Sequence, residues 1–324
     1  MSRKAVLGLG LLAVVVVILG FGGLRGVLSP SSRTVPHEDR WGIYALDLAT
    51  GGVELVYSSS VKIAYLRLNG AGDRFIFSQK VGGDIDEYEE ICTVGVDGSG
   101  FTRITDNRYW DLYPCWSPDD SQIAFLTWRD AGLDIYVVDA DGSNERKLYD
   151  SGGHDADIDW VGDSIVFTAN SRIWVMKDDG AEPMPITDPP NAGQWGNANL
   201  PFGDYDPRLS PDGSKVVFER LWGDSTQHGN YDLYVANSDG TDEARLTETG
   251  YSQGLAAWAH SGEKLVYLVG AIDGEGKYDL YLVNSDGTEN RSITPDYFPA
   301  AFLCHTSIFS KDDSRIYFIG EWWE

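Results

Sequence analysis

One short phrase recurs along this chain: an apolar strand that contains Asp-Ile-Tyr or Asp-Leu-Tyr, followed by a polar turn that ends in Asp-Gly. The clear copies occupy 134–142, 232–240 and 279–287, and weaker copies lie at 42–44, 90–92 and 172–174. Copies recur about every 47 residues on average, and a regular period of roughly 20–50 residues is typical of repeat architectures. The repeat therefore constrains the fold before any single residue is considered.

Two further signals accompany the phrase and define the repeat unit. Upstream lies a Ser-Pro-Asp turn before an apolar strand, as at 117–125 and 210–218, and downstream lies a short strand ending in an apolar residue and Thr, as at 104–105 and 246–247. Pro presets φ, Gly adopts positive φ, and the Asp carboxylate bonds nearby backbone amides. Asp-Gly between apolar strands favours a hairpin. Each period therefore predicts four short antiparallel strands, which we call a to d, forming one propeller blade.

The two ends of the chain complete each other. The C-terminal end contains only strands a and b, at 304–310 and 315–320, whereas the N-terminal end of the repeats contains only strands c and d, at 42–48 and 53–57. Joined, they form one blade, and five whole blades fit between 58 and 296. We therefore predict an all-β fold, a six-bladed β-propeller whose last blade is closed by strands from both termini, so that no sheet edge stays open.

The N-terminal segment predicts a membrane anchor. Arg3 and Lys4 precede an uncharged run from Ala5 to Leu24, which is long enough to span a bilayer core of about 30 Å. The predicted organisation is a transmembrane signal anchor at 1–24, a linker at 25–40 and the propeller at 41–324. A cleavable signal peptide that releases a secreted propeller is the alternative. Either arrangement places the propeller outside the cytoplasm, and single-pass anchoring in the cell membrane is favoured.

The charge of the chain limits the partners it can take. The formal net charge is −25, from 50 acidic and 25 basic residues. Such acidity argues against nucleic acid and favours a basic protein or peptide, or a cation. Solubility or adaptation to salt is the better explanation for most of these charges. We expect the protein to be a monomer and to need no cofactor. A divalent cation is the one candidate for a bound cofactor.

Part of the repeat resembles that of TolB-type propellers. The residues that carry the likeness are Asp111, Tyr113, Pro114, Trp116, Ser117, Pro118 and Asp119, followed by Asp134-Ile135-Tyr136 and Asp139-x-Asp141-Gly142, with further copies at 204–240 and 279–294. The resemblance implies a six-bladed protein-interaction module. The α/β domain that precedes the TolB propeller is expected to be absent, since the repeats begin near residue 41. Because no Gly-x-Ser-x-Gly elbow occurs, peptidase activity is not expected.

Propeller geometry places the d-to-a connections around the mouth of a central channel. In this chain these connections are predicted to be acidic and aromatic, with Tyr109, Trp110 and Tyr251 at the rim. We predict a funnel for a basic or cationic ligand. Its candidate ligand-binding residues are Asp111, Tyr113, His154, Asp155, Asp157, Asp159, Trp195, Phe202, Asp204, Asp206, Gln253 and His305.

Several of these acids also have a purely structural interpretation. Asp111 and Asp206 are favoured as acceptors for backbone groups that link neighbouring blades. Asp155, Asp157 and Asp159 alternate along a predicted strand and would therefore face one way. Like charges so close repel one another, and either a bound cation or solvent exposure would relieve the repulsion.

The remaining predictions concern a loop and an alternative activity. Residues 188–203 form the longest d-to-a connection, and with Trp195 and Phe202 this loop is predicted to cover part of the funnel. The alternative function is a metal-dependent polysaccharide lyase or another hydrolytic enzyme that uses His154 and His305, with Gln253 as a third ligand. An acidic funnel would repel a uronate substrate, so a binding protein is preferred over an enzyme.

Overall fold

The structure is a computed structural model that describes residues 33–82, 88–129, 132–223, 230–270 and 278–323. The chain from Thr34 onward forms one compact unit. Within the described ranges no helix is both long and apolar enough to cross a bilayer. The predicted transmembrane segment 1–24 and the first half of the predicted linker, 25–32, lie outside those ranges. Just before the first strand, Val35 is buried and the His37 ring stacks on Trp322, with ring centroids 4.3 Å apart.

Every element in the described part of the chain is a β-strand. The strands of the first half are β1 (Trp41–Asp47), β2 (Val53–Ser59), β3 (Ile63–Leu68), β4 (Arg74–Val81), β5 (Tyr88–Gly95), β6 (Thr102–Arg103), β7 (Trp110–Trp116), β8 (Gln122–Trp128), β9 (Leu133–Asp139), β10 (Arg146–Tyr149), β11 (Asp155–Val161) and β12 (Ser164–Ala169). Those of the second half are β13 (Arg172–Lys177), β14 (Met184–Pro185), β15 (Gly203–Leu209), β16 (Lys215–Gly223), β17 (Asn230–Asn237), β18 (Ala244–Arg245), β19 (Ser252–Trp258), β20 (Lys264–Gly270), β21 (Tyr278–Asn284), β22 (Arg291–Ser292), β23 (Phe302–Phe309) and β24 (Arg315–Trp322). The predicted all-β class is confirmed for these residues.

The strands pair as antiparallel meanders. Three sheets have four consecutive strands each: β11 to β14, β15 to β18 and β19 to β22. Two further meanders, β3 to β6 and β7 to β10, are joined by one parallel bridge between Glu89 and Trp110. The remaining sheet has the order β2-β1-β24-β23, with Trp41 opposite Glu321 and Asp47 opposite Arg315. The first strands of successive meanders contact one another in chain order, and β23 contacts β3.

The recurring phrase lies in strand c and is a packing element. Ile135, Leu233 and Leu280 are fully or almost fully buried in the core. The preceding acid forms an ion pair with a basic residue of strand d: Asp134 with Lys147 at 2.7 Å, and Asp232 with Arg245 at 2.6 Å. The phrase therefore ties strand c both to the core and to the outer strand.

The Asp-Gly turns lie between strands c and d of one meander, and their glycines contact the backbone of the preceding meander. Asp141 Oδ1 accepts a hydrogen bond from the Ser143 amide at 2.9 Å, as expected for a tight turn. Gly240 has φ +85°, and a Cβ built on it would lie 2.2 Å from the Ile186 carbonyl oxygen of the preceding sheet. Glycine is required there for two reasons, the left-handed backbone and the close approach. Comparable approaches recur at Gly98, Gly142, Gly180 and Gly287.

Candidate functional site

Each strand a carries a bulge that redirects its side chains. Strands β3, β7, β11, β15 and β19 each shift register against strand b near their middle. One residue at each bulge has φ between 50° and 60°: Tyr65, Tyr113, Asp157, Asp206 and Leu255. A bulge inserts one residue and breaks the simple alternation of a strand. Side chains from different sheets are thereby brought together in the interior.

The bulges assemble what we call the carboxylate layer, Asp157, Asp206 and Glu219. The Asp206 amide donates to Asp157 Oδ2 at 3.2 Å, so two neighbouring sheets are linked through an acid. Glu219 reaches the layer from β16, next to Gly254: a Cβ on this glycine would lie 2.3 Å from Glu219 Oε2. Beside the layer the Tyr65 and Tyr113 rings stack with centroids 3.7 Å apart.

Burial disfavours the charged forms of the carboxyls in this layer and raises their pKa values. Burial, reinforced by the Asp157 charge, raises the pKa of Glu219 to about 8. Burial and the charges of Glu219 and Asp157 raise the pKa of Asp206 well above its usual range, although its Oδ1 accepts from the Arg208 guanidinium. Burial also raises the pKa of Asp157. A group that brings positive charge to this layer would relieve the repulsion.

Three other predicted funnel acids lie inside strands, and not in the connections where they were expected. Asp111 and Asp204 are the second residues of β7 and β15, Asp155 is the first residue of β11, and all three are fully buried. Asp111 accepts from the Thr127 hydroxyl and from Asn107 Nδ2. These contacts give Asp111 a structural role, but its partners are a hydroxyl and a side-chain amide, and not the backbone groups that were expected to link neighbouring blades.

Asp204 and Asp155 differ in how well their charge is balanced. Arg220 donates to both carboxylate oxygens of Asp204, at 2.6 and 2.9 Å. Asp155 accepts only a long bond, 3.3 Å, from the Ser151 amide, and its Oδ1 has no hydrogen-bond partner. Burial therefore raises the pKa of Asp155 to about 6.

The alternating acids of β11 do not face one way. The register of β11 shifts between Ala156 and Asp159, with Asp157 in the left-handed region. Asp155 contacts the loop before its own strand, Asp157 joins the carboxylate layer, and Asp159 accepts from the Leu209 amide at 2.9 Å. The bulge, which periodicity alone does not reveal, separates the three carboxylates.

The candidate metal ligands have separate partners. His154 Nδ1 accepts a hydrogen bond from the Leu133 amide at 3.3 Å. His305 Nε2 forms a hydrogen bond with Glu321 Oε2 at 3.0 Å. Gln253 is buried, and its Nε2 donates to the Tyr251 carbonyl at 2.6 Å. Among the residues that the structure describes, no group of three or more His, Cys, Asp or Glu side chains could hold a metal ion.

Exposed aromatic side chains gather on one face of the molecule. We call the edge with the d-to-a and b-to-c connections the loop face, and the edge with the a–b and c–d turns the turn face. Eight exposed aromatic residues lie where strand a begins, where strand b ends, where strand c begins, or in the connections between: Tyr109, Trp110, Trp128, Trp195, Trp222, Tyr251, Tyr278 and Trp323. Trp110 and Trp128 are direct cross-strand partners.

Only some of these aromatic residues were predicted from the sequence to lie at the binding face. Trp128, Trp222, Tyr278 and Trp323 were not predicted as binding residues, because they sit at or next to strand ends that the repeat assigned to the scaffold. The signal available in the sequence was positional: an aromatic residue two to three positions beyond the buried core of strand b, as in Leu126 followed by Trp128. Exposure itself depends on where strand b ends relative to its neighbours.

The long loop 188–203 packs on the meander that follows it. The Gly193 amide donates to the Phe202 carbonyl and the Phe202 amide donates to the Gln194 carbonyl, both at 2.9 Å. Phe202 is partly buried against Ala198, Tyr205 and Leu221, whereas Trp195 is 69% exposed. The loop thus has its own anchor and presents one indole on the loop face.

Known proteins with related sequences cover part of the chain. No family model matches it. An uncharacterized protein of Agrobacterium fabrum is 28% identical over 181 residues, which is 52% of this chain and 58% of that protein. A TolB homolog of Chlorobium luteolum is 25% identical over 190 residues, which is 57% of this chain and 38% of that protein. The chain thus spans less than two thirds of the length of either relative.

Solved structures with the same fold cover more of the chain. A TolB-like protein of Agrobacterium tumefaciens superposes with a TM-score of 0.66 at 14% identity, over 88% of this chain and 99% of that one. TolB of Acinetobacter baumannii gives 0.59 at 16% identity, over 88% and 64%. The β-propeller domain of the Trilobed protease of Pyrococcus furiosus gives 0.50 at 14%, over 81% and 91%. At such identities the likeness establishes the fold alone. By sequence and by fold, this chain is similar to the TolB-type β-propellers.

Proposed function

We propose that this chain is a binding scaffold that takes a protein partner on its loop face. The observation that carries the proposal is the set of eight exposed aromatic side chains on that face. Tyr and Trp are enriched at protein interfaces because each offers a large apolar area together with a polar handle. Loops on a rigid scaffold are a common way to present such residues.

The scaffold we propose is a ring of six blades. It is supported by the meander topology, by the contact of β23 with β3, and by the sheet that joins β1 to β24. A closed ring protects the edges of its inner strands and keeps the loop face rigid. Rigidity matters because ordering side chains and loops on binding costs free energy.

We propose a basic partner. The net charge of −25 attracts basic surfaces over a distance. Exposed acids of the loop face include Asp106, Asp188 and Glu248, which pair with Arg103, Arg172 and Arg245. Exposed ion pairs of this kind are weak, so an arginine or lysine of the partner can take the place of the protein's own arginine in each pair.

We further propose that residues 1–24 anchor the propeller on the extracytoplasmic side of the cell membrane. The support is the uncharged run of twenty residues from Ala5 to Leu24 and the similarity to proteins named TolB. Protease protection of intact cells, and then of permeabilised ones, tests the orientation. If the propeller stays protected from the protease when the layers outside the cell membrane have been made permeable, the proposed orientation is wrong.

The interaction is tested by pull-down from cell extract with the full-length chain, read by mass spectrometry. The test variant replaces Trp128, Trp195 and Tyr251 with Ala. The control variant replaces Phe101 and Met184, two exposed apolar residues away from the loop face, in the same way. The proposal expects a saturable partner that the test variant loses, that the control keeps, and that high salt weakens. Equal recovery by both variants would refute the loop face as the binding surface.

A further inference from the structure

A cavity of about 310 Å³ opens at the opposite end of the strands a, near the turn face. Its volume is at the lower end of the roughly 300–1,000 Å³ of small-molecule sites. The last residues of several strands a line it. Among them, Asp159 is one of the predicted funnel residues and Trp116 belongs to the repeat. The residues that matter below are Arg67, Trp116, Asp159, Trp160, Arg208 and Trp258, with Lys311 also in the lining.

Three buried donors in this lining lack an acceptor. Trp116 and Trp160 are 9% and 8% exposed, and neither indole N–H has a hydrogen-bond partner. Arg67 Nη1 donates to the Leu66 carbonyl at 2.9 Å, but Arg67 Nε has no partner. The third indole is different, because Trp258 Nε1 donates to the Arg208 carbonyl at 3.0 Å. Buried donors are normally satisfied, so three unsatisfied ones around one cavity need an explanation.

The charges around the cavity are unusual for so acidic a chain. Arg67, Arg208 and Lys311 carry positive charge in the lining, against the single carboxylate of Asp159. Asp159 already accepts from the Leu209 amide. Arg208 already donates to Asp206, so the charges left in the lining are Arg67 and Lys311 against Asp159, and the site has more donors than acceptors.

We propose that this cavity binds a small organic anion, a carboxylate with a flat apolar body. The carboxylate would accept from Arg67 and from the free indole N–H groups, because charge-assisted bonds to guanidinium are strong and directional. The apolar body would lie against the three indole rings, Trp116, Trp160 and Trp258. The site is independent of the proposed partner surface, which lies on the loop face.

Arg67 also has a competing structural role. Its charge lowers the pKa values of Asp157, Asp159 and Asp206, which burial raises. If that were its whole purpose, replacing Arg67 would destabilise the protein and the wild type would bind no anion. Stability alone therefore cannot test the proposal, and binding must be measured directly.

The probes are phenylacetate and its neutral counterpart phenylacetamide, titrated into the full-length protein by calorimetry and followed by tryptophan fluorescence. We expect saturable binding of phenylacetate at one site, about ten-fold or more tighter than phenylacetamide. Equal affinity for the two compounds, or no saturable binding of phenylacetate at millimolar concentration, would overturn the proposal.

Matched variants locate the site. Trp116→Phe keeps an aromatic ring but removes an unsatisfied N–H, and is expected to weaken phenylacetate binding several-fold. Trp258→Phe removes an N–H that is already bonded, so affinity should change less than two-fold even if stability falls. Arg67→Met should abolish the preference for the anion, and if it does not fold, the two indole variants decide. Equal losses in Trp116→Phe and Trp258→Phe would contradict the assignment.

Discussion

The turn face and the loop face of this protein are built from the same strands but obey different rules. On the turn face the Ser-Pro-Asp and Asp-Gly turns recur, and turn glycines such as Gly142 and Gly240 meet carbonyl oxygens of the preceding sheet. On the loop face the connections differ in length and carry exposed indoles such as Trp195. Repeated residues therefore build the scaffold, and residues that do not repeat are available for binding.

The largest effect is expected where the loop end of a sheet depends on a buried ion pair. Arg220 donates to both oxygens of fully buried Asp204 and to both oxygens of Glu243. Arg220→Met would leave Asp204 charged and unpaired, which costs about 3–5 kcal/mol of unfolding free energy. Urea unfolding measures the loss. The matched control is Arg172→Met, whose partner Asp188 is exposed, with an expected loss below about 1 kcal/mol. Similar losses would show that burial does not distinguish the two pairs.

The next effect tests the turn face. Gly240→Ala would place a Cβ 2.2 Å from the Ile186 carbonyl oxygen at a φ of +85°. Left-handed strain and the clash together should cost about 2–4 kcal/mol. Gly213→Ala is the control, because its φ is +71° but nothing lies within 4 Å of the added Cβ, and only about 1 kcal/mol is expected. If the two variants have equal melting temperatures, contact between neighbouring sheets is not what requires glycine.

A smaller effect depends on pH. The pKa of Asp155 is raised to about 6 in the folded state, so this carboxyl holds its proton longer when folded than when unfolded. Stability therefore falls as pH rises through this range, by about 1–2 kcal/mol between about pH 5 and pH 7.5. Asp155→Asn should reduce the fall in stability over this range by about 1–2 kcal/mol in urea unfolding, while the raised pKa of Glu219 leaves a slope of the same sign.

The control for this titration lies in a turn. Asp212 accepts from the Ser210 hydroxyl and the Ser214 amide, and these bonds lower its pKa to about 2. Its stabilising charge is lost only as pH falls towards that value, so Asp212→Asn should shift stability equally at about pH 5 and pH 7.5. A slope in Asp155→Asn equal to that of the wild type would show that the effect belongs to the carboxylate layer and not to Asp155.

The smallest effect concerns the exposed indole of the loop face. Trp195 is 69% exposed, so Trp195→Ala should change the unfolding free energy by less than about 0.5 kcal/mol. Phe202→Ala in the same loop should cost more, because Phe202 packs against Ala198, Tyr205 and Leu221. A large loss in Trp195→Ala would mean that this residue belongs to the scaffold.

Much of the fold could be predicted because its cause is local. Asp-Gly and Ser-Pro-Asp specify turns through φ and through bonds made within a few residues, and the apolar strands between them have period two. The buried state of Ile135 and Leu233, and the turn geometry at Gly142, were therefore readable from the sequence. The positions of the predicted funnel residues were harder to infer from the sequence. Asp111 and Asp204 were expected in connections, yet they begin strands and are buried.

The remaining features of the site depend on contacts between distant parts of the chain. Asp157 and Asp206 are 49 residues apart and meet through one backbone hydrogen bond, while Glu219 joins them because Gly254 leaves space. The bulges that turn these side chains inward have no simple sequence signature. The same holds for the donors of Arg67 and Trp116, whose lack of acceptors is visible only when every neighbour is in place.

The sequence by itself determined the all-β repeat, the position of its turns and the acidity of the chain, because turn chemistry, strand periodicity and net charge are local or additive properties. Only the tertiary structure decided which carboxylates are buried, which aromatic residues are exposed and where donors exceed acceptors. Burial and hydrogen-bond satisfaction depend on how separate sheets pack against one another, and a strand bulge of one residue is enough to reassign a side chain from one environment to another.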